Sequence, residues 1–300
     1  MKTPRLTFTC MLFTLIGAFP AMAGPRTFVS GLGNDANPGT REQPKRTFAS
    51  ALSVTDTRGE IIVLDSAGFA SAPLTINQSV SIIAPPGLYA GIKVTSGNAI
   101  TISGAADTVV VLRGLTVIGA GGITGILFSA GRRLHVESCV ITGFTNNGLL
   151  VSQSAGANAR LFVKDTIARD NVNGVVISAG RGSLDHVRLE ANPDVGLSVF
   201  GVDSRASIIN SVASGNGSGM HAASSGDISI EACLMANNVF GVSVQTGGIA
   251  RVSTSTVTNN GVVGLRNSAS NPGTLRSRGN NTVDGNTDNT SGTITSFSGM

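Results

Sequence analysis

Two sets of charged side chains return with the spacing of a repeat, and they are the residues with which this chain could do chemistry. The first comprises Glu137, Lys164, Asp165 and Asp185, with His186 and Arg188 close to the last. Carboxylates beside a cation can bind a divalent metal such as Ca2+ or assist proton abstraction, so this is the set to test for chemistry. The second set is Arg133, Arg160, Arg181 and Arg205, with Arg132 next to the first. A line of guanidiniums matches carboxylates or sulfates spaced along an acidic polysaccharide, because Arg grips such groups through two parallel hydrogen bonds. His135, His186 and His221 fall on separate repeats without metal-ligand spacing, so no zinc site is expected.

Both sets take their spacing from a repeat. A glycine followed by an apolar residue stands at Gly125, Gly148, Gly174, Gly196, Gly219, Gly241 and Gly264, at intervals of 22 to 26 residues. Intervals this short suit one coil of a parallel β-helix. Each period also carries a template that runs apolar, polar, polar, small, any, apolar, two free positions, then Asn, as in the stretches that end at Asn192, Asn216 and Asn238. A short alternating strand such as Gly241-Val242-Ser243-Val244 follows, and the polar pair interrupts the alternation, so each coil reads as short strands separated by corners. An α-solenoid would need longer runs at a period of 3.6, and the frame of a leucine-rich repeat is missing.

The composition agrees with narrow coils and small interior side chains: 39 Gly, one Tyr, no Trp and 13% charged residues. The template asparagines are assigned to structure, since Asn tolerates the left-handed backbone of a tight corner and can hydrogen-bond from coil to coil. Before Gly125 the coils are less regular, with strands expected at Glu60 to Leu64, Leu74 to Ile76, Val80 to Ile83, Gly91 to Val94 and Leu112 to Val117. Pro85-Pro86-Gly87 marks a corner loop.

The amino terminus has the form of a targeting segment. Lys2 and Arg5 form a basic head, Leu6 to Phe19 an apolar stretch too short to span a bilayer, and Ala21-Met22-Ala23 a small-x-small cleavage site. The expected division is a signal peptide over 1–23, a loop and capping helix over 24–59, the β-helix over 60–290 and a frayed tail over 291–300. The expected product is exported, to a periplasm or the exterior, without a transmembrane anchor. Removing Lys2 and Arg5 from the 21 basic residues leaves a small excess over the 17 acidic ones, too small to imply nucleic acid. Cys10 leaves with the signal. Cys139 and Cys233 share one small inward template position four coils apart, roughly 19 Å at about 4.8 Å per coil, beyond the roughly 7 Å Cα limit for a disulfide. Both are expected as free, buried thiols.

Ahead of the first coils stands Gly33-Asn34-Asp35-Ala36-Asn37-Pro38-Gly39-Thr40, followed by Thr47-Phe48-Ala49-Ser50-Ala51-Leu52. Thr47 can cap a short helix whose Phe48, Ala51 and Leu52 share one face and cover the open end of the first coil. This opening resembles that of exported right-handed β-helix proteins of the pectin-lyase-like superfamily. The resemblance implies an all-β, single-stranded right-handed parallel β-helix of about ten coils behind a short capping helix, and a polysaccharide as partner. It also raises calcium at Asn34 and Asp35, for which turn chemistry is the competing assignment.

The enzymes of that superfamily supply patterns to compare. Those of polygalacturonase type carry paired aspartates, Gly-His-Gly and Arg-x-Lys; only Asn286-Thr287-Asp288 approaches one of these, in the final coil. Those of pectate-lyase type carry an acidic calcium cluster and an arginine near Ile-Asp-His, which Leu184-Asp185-His186-Val187 echoes. Against a catalytic reading, Arg113, Glu137, Lys164 and Asp185 alternate in sign, as neighbouring strands do to avoid like-charge contact. For the arginines the competing assignment is a solvated turn at a corner of variable length. With no Trp and only Tyr89, a stacking platform for neutral sugar is not expected. The expectation is therefore a non-catalytic module that binds carbohydrate, acidic if the arginines take part, or serves structurally; the alternative is a lyase or hydrolase of a uronate-containing polymer.

Overall fold

The computed structural model describes residues 24–71 and 73–297, so the targeting segment and Cys10 lie outside the described residues, as do the last three positions of the tail. From Gly24 the chain winds into three parallel sheets, of 12, 10 and 10 strands, that run the length of the molecule in about ten coils. In one coil Arg181–Asp185 belongs to the first sheet, Arg188–Glu190 to the second and Val195–Phe200 to the third. Each strand pairs in register with its equivalents in the coils before and after it, as Val163, Leu184 and Ile208 do. Alternation sends those three inward, with Val136 and Ile230, into an unbroken aliphatic core.

The corners follow from two residue choices. Between the first and second sheets, Ser138, Asp165, His186, Asn210, Ala232 and Thr254 adopt left-handed backbone with φ of 49–52°. Each is followed by an inward residue, respectively Cys139, Thr166, Val187, Ser211, Cys233 and Ser255, all buried. Both cysteines are free, and burial pushes their thiols up to about 11.

Between the second and third sheets runs the asparagine ladder Asn171, Asn192, Asn216, Asn238, Asn260, Asn286. Asn238 Oδ1 accepts from the backbone N–H and the side-chain amide of Asn216, at 3.0 and 2.9 Å. Asn238 Nδ2 donates to the Ala213 carbonyl and to Asn260 Oδ1, at 3.0 and 3.1 Å. The left-handed residue at this corner is the one before the asparagine, such as Ala191 or Asn237, and not the asparagine itself. The amide is selected for its donors and acceptors rather than for its backbone freedom. The repeating glycines sit beside this ladder for lack of space: a Cβ on Gly196 would lie 2.6 Å from the Gly219 carbonyl oxygen, and one on Gly219 2.6 Å from that of Gly241.

Three boundaries differ from expectation. Leu112 to Val117 is two strands, Val109–Arg113 and Leu115–Gly119, because Gly114 turns left-handed at the first corner with φ 72°. The amino-terminal segment is more than loop and helix, since Gly24–Val29 is the first strand of the first sheet. The tail expected to fray from 291 instead adds a strand, Ile294–Ser296, paired with Leu275 to Ser277. The capping helix is Phe48–Ser53, with the Thr47 hydroxyl accepting from Ser50 N–H. It buries Phe48 and Ala51 over the first coil, with the Phe48 ring 5.2 Å from that of Phe69.

Candidate functional site

The first sheet carries the arginine set together with Glu137, Lys164 and Asp185, and register decides how they meet. Arg133, Arg160, Arg181 and Arg205 are consecutive partners, each the first residue of its strand. They are therefore strand residues in a straight row and not the solvated turn of the competing assignment. Four residues further along the same strands, Glu137, Lys164 and Asp185 form a parallel row. Between the rows lie His135 and Phe162, stacked with centroids 4.7 Å apart and planes at 14°. Burial lowers the His135 pKa, Glu137 opposes that and Arg133 adds to it.

Among the described residues, none of the four row arginines is ion-paired. Arg160 donates to the carbonyls of Ala157 and Ala159, both at 3.0 Å, while Arg133, Arg181 and Arg205 make no side-chain hydrogen bond to described residues. Beside Arg205 in register is Asp227, but its carboxylate is taken by Arg251. At the other end Arg132, Arg133 and Arg160 line a niche of about 480 Å³ with Ala106 and Asn158.

Glu137, Asp185 and Arg188 of the acidic set are drawn to separate partners. Arg113 donates to Glu137 through Nε and Nη2 at 2.8 and 2.6 Å, so the alternation in sign becomes an ion pair at this step. Asp185 Oδ1 shares a hydrogen bond of 2.6 Å with His186 Nδ1 and accepts from Asn210 at 3.2 Å. These bonds, with the Asn210 one foremost, hold its carboxyl below the usual range. Asp165 and His186 occupy the left-handed first-corner position, where turn geometry selects the residue. Arg188 begins a strand of the second sheet and binds Glu190, at 2.8 and 2.5 Å, rather than reaching Asp185. Lys164 remains on the face between Glu137 and Asp185, beside a shallow pocket of about 180 Å³.

A calcium centre requires several oxygens converging on one point. Among the described residues no group of three or more His, Cys, Asp or Glu is placed to hold a metal ion, and the carboxylates of Glu137 and Asp185 turn to separate partners, so these residues do not fit one. Asp35 is occupied in the opening loop: its Oδ1 accepts from the N–H groups of Arg46 and Thr47, both at 2.9 Å, and its Oδ2 from the Thr47 hydroxyl at 3.0 Å. Asn34 Oδ1 accepts from Ala36 N–H at 2.9 Å, which is turn chemistry. The His135 and Phe162 stack was missed in the sequence, although both residues lie between flagged positions of the same strands.

Among the described residues no helix is long and apolar enough to cross a membrane. A family model described as a right handed beta helix region matches residues 124–288. The chain is similar to a solved structure described as the crystal structure of pectate lyase Pel9A, with 18% identity, a TM-score of 0.67, and 89% of this chain and 78% of that chain covered. It is also similar to a rhamnogalacturonan lyase structure at 12% identity and a TM-score of 0.40, covering 85% of this chain and 82% of that chain. No curated protein sequence matches the chain. At these identities the first likeness concerns the fold, a right-handed parallel solenoid with almost no helix.

Proposed function

The chain belongs to the right-handed β-helix family, and on that premise we propose that it is an exported, non-catalytic polysaccharide-binding module whose first sheet takes an acidic polymer along its arginine row. The observation that carries this reading is the in-register run of Arg133, Arg160, Arg181 and Arg205, without a carboxylate partner among the described residues. Parallel pairing sets neighbouring coils about 4.8 Å apart, and two like charges at 4 Å repel by about 1 kcal/mol even in bulk water. An extended polyanion laid along the row relieves that repulsion and offers each guanidinium a two-pronged acceptor. The solved structure described as a pectate lyase supports a polysaccharide as the class of partner, through likeness of fold.

The acidic row contributes less to this reading. Glu137 and Asp185 are committed to Arg113 and to His186 with Asn210, and solvent screens exposed pairs of that kind. The test is retention of the pure protein on immobilised polygalacturonate against a neutral polymer across a salt gradient, with unsaturated product monitored in parallel. Retention on the acidic polymer that falls with salt and drops at least tenfold in Arg160→Ser/Arg181→Ser is expected. Salt-insensitive retention, or retention unchanged in that variant, overturns the arginine row. Unsaturated product that disappears with Asp185→Ala establishes the lyase instead.

A further inference from the structure

The outer face of the third sheet differs from that of the first in being recessed. Leu150, Val176, Ser198, His221 and Ser243 are register partners in successive strands. Their neighbours Val175, Ile177, Leu197 and Val199 are core residues, so alternation points this column outward. Yet Val176 is 5% exposed and Ser198 6%, whereas Phe162 in the equivalent outward column of the first sheet is 37% exposed. Leu150, Val176, Ser198 and His221 form the floor of a groove of about 660 Å³ that reaches Gln245 in the fifth coil, roughly 19 Å at 4.8 Å per coil. Asn173 and Asp194 stand at the corner side of it, with Phe200 and Gln245 at the opposite strand ends.

Of the polar groups that line the groove, the Ser178 hydroxyl donates to the Val151 carbonyl at 2.9 Å, while others face the opening. His221 Nδ1 meets the Ser198 hydroxyl at 3.3 Å. Burial lowers the His221 pKa, Asp194 opposes this and Arg266 adds to it, so the imidazole is uncharged near neutral pH and offers one donor and one acceptor. Asn147 lines the groove at 6% exposure, and its side-chain amide has no hydrogen-bond partner among the described residues. The amide is not a buried unpartnered group, so it opens into the groove, where a bound hydroxyl can meet it. Only Asp194, at the rim, brings a formal charge to the lining. Arg266 lies beyond the groove, its guanidinium 4.6 Å over the Phe240 ring and donating to Ser243 at 3.3 Å.

We infer that this groove binds an extended, uncharged, hydroxyl-rich chain, a neutral oligosaccharide, at a site separate from the arginine row. Length along the axis selects a linear ligand over a compact one. An aliphatic floor at Leu150, Val176 and Val195 suits the C–H face of a sugar ring, while Asn147, Ser198 and His221 suit its hydroxyls. An extended peptide is the poorer fit, because such peptides add to a free sheet edge and every strand under this groove is paired on both sides. The scarcity of aromatics argues against an open stacking platform, but a recess excludes water without one.

The experiment is calorimetric titration of the whole protein with neutral hexasaccharides of glucose, xylose and mannose at low and high NaCl, with polygalacturonate and an uncharged extended hexapeptide as further arms. Binding of at least one hexasaccharide is expected, with affinity unchanged by salt and by Arg160→Ser/Arg181→Ser. His221→Ala and Ser198→Ala are each expected to weaken it about fivefold, one hydrogen bond's worth. Val176→Lys, whose ammonium can reach solvent from an outward position, is expected to abolish it. Circular dichroism checks each fold, and Ser198→Ala removes a single oxygen should His221→Ala unfold. Absence of binding to all three hexasaccharides, binding unaffected by Val176→Lys and Ser198→Ala, or tighter binding of the hexapeptide overturns the inference. None of these results bears on the arginine row, which the polygalacturonate arm reads.

Discussion

The asparagine ladder and the arginine row are built by the same device, one residue type repeated once per coil, and they differ in where their hydrogen bonds go. Along the ladder every interior amide is satisfied by its neighbours: Asn216 donates to Asn238, Asn238 donates to Asn260, and each Nδ2 also closes on a backbone carbonyl of the preceding coil. Along the row no member satisfies another, because guanidiniums only donate. Asn is both donor and acceptor, so stacking it completes a structure; stacking Arg accumulates unmet donors and like charge. A repeated residue is structural when it can pair with its own kind and available to a ligand when it cannot.

The comparison is tested most severely at Asn238→Ala. Several buried groups lose partners at about 1–3 kcal/mol each, so a loss near 3 kcal/mol in denaturant unfolding is expected. A loss below 1 kcal/mol would mean that aliphatic packing alone holds the second corner. Gly196→Ala comes next, since the added methyl meets the Gly219 carbonyl at 2.6 Å; a cost of about 1–3 kcal/mol by the same measurement is expected. For Arg160→Ser/Arg181→Ser the expected stability change is within about 0.5 kcal/mol, although polyanion retention collapses. A clear destabilisation there would make the row structural. Smallest of all is Asp185→Ala, which is expected to leave the melting temperature unchanged, because its hydrogen bonds to His186 and Asn210 are exposed.

Much of the fold was legible because one coil resembles the next. The glycine period set the register, and that register aligned Arg133 with Arg160, kept Cys139 apart from Cys233 and foresaw the ladder. Errors arose where one residue type suits two positions. The asparagine was assigned the left-handed backbone that belongs to the residue before it, since Asn meets both demands and the pattern does not say which one acts. Leu112 to Val117 read as one strand because Gly114 lies in an otherwise apolar run. The tail read as frayed because its residues are polar, yet an open coil edge still offers Ile294 to Ser296 a paired place.

For the candidate sites the division is sharper. Periodicity by itself determined the parallel β-helix, its pitch and which residues share a column, because in-register pairing turns sequence spacing directly into position. Only the tertiary structure decided that Arg188 turns to Glu190, that Asp185 is held by His186 and Asn210, and that the outward column of the third sheet lies in a recess while that of the first stands open. The physical reason is that register places Cα atoms along the solenoid, whereas partner choice and burial depend on side chains from adjoining corners, whose lengths and directions no period encodes.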